Sequence, residues 1–172
     1  MADYISGKNG VDDDLRATST GSMLAGNGGN DVLRGGKGDD ILIGGRGDDK
    51  LYGGAGADQF RFFGDQIDGA SDVDAIYDLN FADGDTLVFG QYNGLFSTDA
   101  PGLNGFANGD SAIISSFAGL AAAYEASGGR ISYTGNPGLN LLIISFDNGD
   151  GATQTIRITQ GYDAFVSELS AI

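Results

Sequence analysis

The sequence predicts a mainly β fold: a solenoid of short parallel strands over residues 1–61, followed by an α+β, β-rich cap over residues 62–172. Two observations carry the solenoid. One nine-residue phrase is written four times in a row, at residues 26–34, 35–43, 44–52 and 53–61, without a slip. Each copy has Asp at its sixth place (Asp31, Asp40, Asp49, Asp58) and a large apolar residue at its eighth (Leu33, Leu42, Leu51, Phe60). A period this short means stacked repeats, since one copy cannot bury its apolar residue alone. The cap rests on a third observation, the change after Arg61 to longer apolar runs broken by turn residues.

Within each copy, six loop-forming residues rich in Gly, Asp and Asn precede three centred on the apolar side chain. That describes a tight loop and then a very short strand, with glycine supplying positive φ and close backbone approach. The eighth residue faces inward, and places seven and nine face out, by the period-two rule. A flexible Gly/Asp-rich segment is the alternative at the level of composition, with 31 glycines in 172 residues. The in-frame apolar ladder argues against it, because a linker has no reason to repeat Leu every ninth place.

The phrase resembles the RTX (repeats-in-toxin) calcium-binding nonapeptide, and the chain is similar to the C-terminal parallel β-rolls of secreted proteases, lipases and alginate epimerases. The resemblance implies that two phrases complete one turn, so residues 18 apart stack (49 − 31 = 18). Asp31 then lies over Asp49 and Asp40 over Asp58. Stacked carboxylates repel unless a cation sits between them. Ca²⁺ suits the gap, being hard, accepting six to eight oxygens and taking carbonyls as readily as carboxylates. Zinc would want His or Cys, and the chain has neither.

Extended backwards, the frame keeps Asp13 and Leu15 in residues 8–16, and Leu24 in residues 17–25, where Ser22 replaces the Asp. Extended forwards it fails, because Ile67 falls at the ligand place, so the roll is expected to end near Arg61. Three ions are expected, at Asp13/Asp31, Asp31/Asp49 and Asp40/Asp58, with a fourth between Ser22 and Asp40 weak or absent. The family implies further ligands: backbone carbonyls from places two and four of one loop and one and three of the next. Carried over, Gly36, Gly38 and Asp40 face Gly53, Ala55 and Asp58. Likewise Asn27, Gly29 and Asp31 face Gly44, Arg46 and Asp49, while Gly26 and Gly28 serve the Asp13/Asp31 pair. Asp39 and Asp48, at place five, are expected to raise local negative potential rather than bind.

The net charge is −15, and the acids are 22 Asp against only Glu125 and Glu168. Asp is short, loop-compatible and metal-directed, whereas an ordinary acidic surface uses Glu freely. Three bound Ca²⁺ would move the net from −15 to −9, so metal binding should contribute to folding itself. The negative field argues against nucleic acid. Without Cys there is no disulfide framework. No run of 18 apolar residues exists to span a membrane, and no N-terminal charged-then-apolar leader is visible. With no His and no Cys, and with Lys8, Lys37 and Lys50 all inside the repeats, catalysis is not expected.

Calcium sites of the extracellular class do not fill in a cytosol. The resemblance implies extracellular localisation through type I secretion machinery, with an uncleaved C-terminal signal. Residues 162–172 read either as that signal or as a terminal helix on the core. Residues 74–79 and 85–90 read as strands about the turn Ala82-Asp83-Gly84, and Ile76-x-Asp78…Gly84-Asp85-x-Leu87 resembles the segment after the roll in RTX enzymes. Asp72, Asp74 and Asp78 are candidates there for a further ion or for turn and capping roles. Residues 111–127 predict a helix by their apolar spacing, residues 139–146 and 153–159 a hairpin about 147–151, and residues 91–110 a surface loop.

One sheet should display Arg16, Arg34 and Tyr52 in a ladder beside Lys50. The other should display Met23, Ala25, Ile41 and Ile43, an apolar outer face that the 111–127 helix is expected to cover; exposed, it would instead be a partner interface. Two functions follow. The chain is a secreted calcium-binding module that folds on extracellular Ca²⁺ and supports type I secretion, or a module binding acidic polysaccharide, or an adhesin, through the Arg16/Arg34/Tyr52/Lys50 face. Ordinary solvated charge is the plain alternative for that face.

Overall fold

The computed structural model describes residues 3–18, 20–63, 72–90, 104–105, 112–147 and 153–170. Their strands form two seven-stranded sheets. Numbered in chain order, the first sheet runs β1 (Tyr4–Ser6), β3 (Met23–Gly28), β5 (Ile41–Arg46), β7 (Gln59–Phe63), β9 (Thr86–Gly90), β11 (Ala112–Ile114), β10 (Asn104–Gly105). The second runs β12 (Ile131–Asn136), β13 (Leu141–Asp147), β14 (Thr153–Thr159), β8 (Asp72–Ile76), β6 (Lys50–Ala55), β4 (Val32–Lys37), β2 (Asp14–Arg16). Alternate phrases therefore feed opposite sheets, and the neighbours of every strand from β1 to β7 are parallel.

The register follows the eighth place. Leu15, Leu33 and Leu51 align across one sheet, and Leu24, Leu42 and Phe60 across the other. Leu24, Leu33, Leu42, Leu51 and Phe60 are fully buried. Each such column stabilises by about 1.5–3 kcal/mol per side chain, which is what makes one register win over its neighbours.

The nine-residue frame stops at Arg61, but the parallel stacking does not. β8 docks on β6 with Leu51 opposite Ile76, and β9 docks on β7 with Phe60 opposite Leu87. Ile76 and Leu87, both fully buried, continue the inner columns. Parallel stacking thus runs past Arg61 by one further strand on each sheet. Beyond β8 the second sheet adds β14 in parallel, then β13 and β12 antiparallel; β11 and β10 extend the first sheet antiparallel.

Two helices, α1 (Phe117–Ala126) and α2 (Gly161–Leu169), pack on each other at this end. α1 is shorter than the 111–127 span because Ser116 caps it, its Oγ accepting the Gly119 N–H at 3.0 Å. Residues 112–114 belong to a strand instead. Phe117, Leu120 and Ala123 enter the core, with Phe117 edge-on to Phe81 (4.9 Å) and Phe165 (6.0 Å). The expected cover of Ile41 and Ile43 by this helix is corrected: its main contacts are α2, β11 and β12. Burying three apolar side chains between the sheets outweighs lying on a half-buried outer face. The hairpin of β13 and β14 matches its expected strands closely; its loop at 148–152, Ile67, and most of residues 91–110 lie outside the described residues. β12 was not foreseen.

Candidate metal centre

Parallel stacking places the sixth-place residues in two columns, Asp13–Asp31–Asp49–Asp74 and Ser22–Asp40–Asp58–Asp85. In each step the backbone N–H of one coil donates to Oδ1 of the next. Asp13 donates to Asp31 (2.7 Å), Asp31 to Asp49 (2.8 Å) and Asp49 to Asp74 (2.9 Å). In the other column Ser22 donates to Asp40 (2.5 Å), Asp40 to Asp58 (2.8 Å) and Asp58 to Asp85 (2.9 Å). A second ladder at place five runs in the opposite sense. Asp12 accepts from Asn30 (2.7 Å), Asn30 from Asp48 (2.9 Å), Asp48 from Val73 (3.0 Å) and Asp39 from Ala57 (2.9 Å). The fifth-place acids thus tie successive loops together, a role beyond the potential expected of them.

The second carboxylate oxygens decide what the columns can hold. At the ends, protein groups satisfy them: Lys8 N–H on Asp13 (2.6 Å), Gln154 Nε2 on Asp74 (2.9 Å) and Asn80 N–H on Asp85 (2.8 Å). In the middle, Oδ2 of Asp31, Asp40 and Asp49 is buried with no hydrogen-bond partner among the described residues. A buried, unpaired anion is untenable in isolation. Two such carboxylates on neighbouring strands, about 4.8 Å apart, repel by ~3 kcal/mol at an effective dielectric of about 20.

The glycines at place one complete the cradle. A Cβ added to Gly35 would lie 2.5 Å from the Gly53 carbonyl and 2.6 Å from Asp40 Oδ2. The same two groups, the carbonyl of Gly44 and Oδ2 of Asp31, crowd Gly26. At places two and four, the carbonyls of Asn27, Gly29, Gly36 and Gly38 press against Gly45, Gly47, Gly54 and Gly56 of the following coil. All four of those glycines have φ between 103° and 132°, a conformation that side chains avoid. At place three, the Arg46 carbonyl accepts from Gly29 (3.0 Å) and Ala55 from Gly38 (2.7 Å), leaving each its second lone pair, whereas the Gly28 carbonyl accepts from both Gly10 (2.6 Å) and Val11 (3.0 Å). Asp13, Asp31, Asp40, Asp49 and Asp58 are therefore brought together in the expected pairs, with Gly44 and Gly53 converging on Asp31 and Asp40.

Among the described residues, no three His, Cys, Asp or Glu side chains form a metal-holding cluster. The donor set is two carboxylates plus backbone carbonyls, all oxygen, which fits a hard cation of high coordination number and no thiophilic metal. Burial raises the carboxyl pKa values of six of the column acids. Desolvation, against the lowering effect of the Asp31 N–H and reinforced by Asp31, Asp72 and Asp48, lifts Asp49 from 3.8 to about 7. Desolvation, again opposed by a backbone N–H, lifts Asp58 to about 6. Asp31, Asp40, Asp74 and Asp85 move the same way, each chiefly by desolvation. A bound cation reverses that penalty.

Sequence reasoning missed Asp74 and Asp85 as column members and Gln154 as an end post. The signal was present as Asp-x-apolar triplets, Asp74-Ala75-Ile76 and Asp85-Thr86-Leu87. Insertions hid them, the steps being 25 and 27 residues instead of 18. Asp78 caps: its two oxygens accept the N–H groups of Gly53 (2.9 Å) and Gly54 (3.0 Å). Asp72 is buried beside Asp49 and Asp74.

Residues 25–60 match the RTX calcium-binding nonapeptide repeat family, in four copies. No curated protein and no solved structure matches the chain. Among the described residues no helix is long and apolar enough to cross a membrane. Repeat sequence, parallel stacking and an all-oxygen cradle agree: the chain carries RTX calcium-binding nonapeptide repeats over residues 25–60, folded as a β-roll and followed by a C-terminal cap.

Proposed function

We propose that the chain is a calcium-triggered folding module of a secreted protein, disordered in its roll at cytosolic calcium and rigid outside the cell. The observation that carries this is the set of buried second oxygens of Asp31, Asp40 and Asp49. These oxygens support ions between Asp31 and Asp49 and between Asp40 and Asp58; the third expected ion, at Asp13/Asp31, finds a free second oxygen only on Asp31, since the Lys8 N–H holds that of Asp13. Each ion would take one carboxylate from either coil with carbonyls of the loops between them, and would neutralise the charge that otherwise opposes stacking. Coupling rigidity to exported calcium suits passage through a type I channel as an unfolded chain, and the signal for that route is assigned to the tail after Gly161. No catalytic role is assigned.

Gly35→Ala tests the cradle. Gly35 has an ordinary φ, so the substitution introduces no backbone strain, only a methyl between the Gly53 carbonyl and Asp40 Oδ2. Calorimetric titration should show one site weakened at least about tenfold, or ~1.4 kcal/mol. Unchanged affinity at every site would rule this assignment out.

A second reading, binding of an acidic polysaccharide, has one specific support. Tyr52 stacks on Tyr77 at 4.6 Å and 8°, extending the Arg16/Arg34/Tyr52 ladder, and Arg34 lies 5.1 Å over the Tyr52 ring. Lys50 and Arg157 flank Ala75 in the adjoining row, beside a groove of about 290 Å³. Asp14 already pairs with Arg16 (3.5 Å) and Arg34 (2.5 Å), which favours ordinary surface charge. Polyuronate binding in millimolar calcium, lost in Tyr77→Ala with calcium uptake intact, supports the reading; no binding by the wild-type chain removes it.

A further inference from the structure

The two sheets have four ends, and three of them are protected against pairing. β1 and β2 are three residues long, β10 has two, and β2 carries Asp14 and Arg16. The fourth end is β12, six residues (Ile-Ser-Tyr-Thr-Gly-Asn) with no charge, no proline and five exposed positions. Natural sheets shorten, charge or cover such edges, because an open strand recruits another.

The direction of its free groups follows from one bond. The Arg130 carbonyl accepts the Asp147 N–H at 2.8 Å, so by alternation the even residues of β12 face β13 and the odd residues face outward. Ile131 N–H is taken by Ser127 Oγ at 3.1 Å. That leaves the N–H and C=O of Tyr133 and Gly135 directed at the open edge, with no strand beyond them among the described residues.

We propose that β12 is the docking edge for a second copy of this chain, paired antiparallel about a two-fold axis at Thr134. Tyr133 of each copy then lies opposite Gly135 of the other, and the two pairs exchange four hydrogen bonds. Two features favour a second copy over another occupant. The strand is neutral, so the symmetric register opposes no like charges. Charge is also low around it: residues 112–170 hold five acids and two arginines, a net of −3 of the chain's −15, so the two copies meet at their least repulsive ends. Exposed apolar groups flank the edge, with Tyr133 41 % and Leu139 70 % accessible. Such a dimer is isologous and closed, and it joins two rolls into one continuous sheet.

Thr134 is exposed and sits at the non-hydrogen-bonded centre of this pairing, where facing side chains are closest. In millimolar calcium, sedimentation velocity of the full chain should give the mass of two copies. Thr134→Asp and Thr134→Lys should each weaken self-association at least tenfold, and mixing them should restore the dimer. A monomeric wild-type chain across the accessible concentration range overturns the proposal, and so does a dimer that neither variant disturbs. Unchanged β content in both variants, by circular dichroism, separates lost pairing from lost folding.

Discussion

Chelating calcium should convert the roll from β structure to coil. Far-UV circular dichroism in EGTA is expected to lose most of the strand signal and to regain it when calcium is restored. The magnitude follows from linkage. An ion held at a hundred times its Kd stabilises by about 2.7 kcal/mol, so three contribute on the order of 8 kcal/mol, comparable with the whole margin of a typical domain. The two hydrogen-bond ladders of the loops do not offset this loss. Each of those bonds contributes about 1 kcal/mol net, and the sixth-place ladder requires the same buried carboxylates that repel once the cation leaves. The inner columns of Leu33, Leu51 and Ile76, and of Leu24, Leu42 and Phe60, supply cohesion, but each coil is only a strand wide and cannot hold its register without its neighbours. A spectrum unaltered by chelation would refute calcium-dependent folding while leaving the fold itself intact.

Acid should act in opposite directions on the two forms. Burial raises Asp49 to about 7 and Asp58 to about 6, from 3.8 in the unfolded chain. Between those limits the calcium-free folded form binds more protons than the unfolded one, so its stability is greatest below pH ~4 and is lost as pH rises through about 6 and 7. In calcium-depleted buffer, lowering the pH from 7.5 to 4.5 should therefore increase β content. With calcium present the sign reverses, because protons compete for the same oxygens; acidification should release the ions and lower the melting temperature. Crossing melting curves at the two pH values are the expected result. Parallel pH dependence with and without calcium would show that the sixth-place carboxylates do not bind it.

The strict frame of the repeats made the roll legible. Asp31 over Asp49 and Asp40 over Asp58 follow from the two phrases per turn that the RTX resemblance implies, and the loop glycines follow from the close approach of successive coils. The frame also limited the reading. Asp74 and Asp85 sit at the same structural place, but insertions of seven and nine residues break the count, and a pattern that must be in register cannot see past them. Gln154, 80 residues beyond Asp74, is a tertiary partner that no local pattern announces. α1 was visible by its apolar spacing but not its start, since Ile113 continues that spacing backward on a strand. β12 escaped because its residues are exposed at an edge and its apolar alternation, Ile131 and Tyr133, is cut short by Gly135 and Asn136. The outer face of Ile41 and Ile43 reads as needing a cover, whereas α1 finds greater burial between the ends of the sheets.

The claim on which the fold and its function both depend is that successive sixth-place carboxylates share a cation. Anomalous diffraction from crystals grown in millimolar calcium tests it directly. Peaks are expected between Asp31 and Asp49 and between Asp40 and Asp58, with a third at Asp13/Asp31. Carboxylates splayed apart, with no anomalous signal between them, would contradict the account.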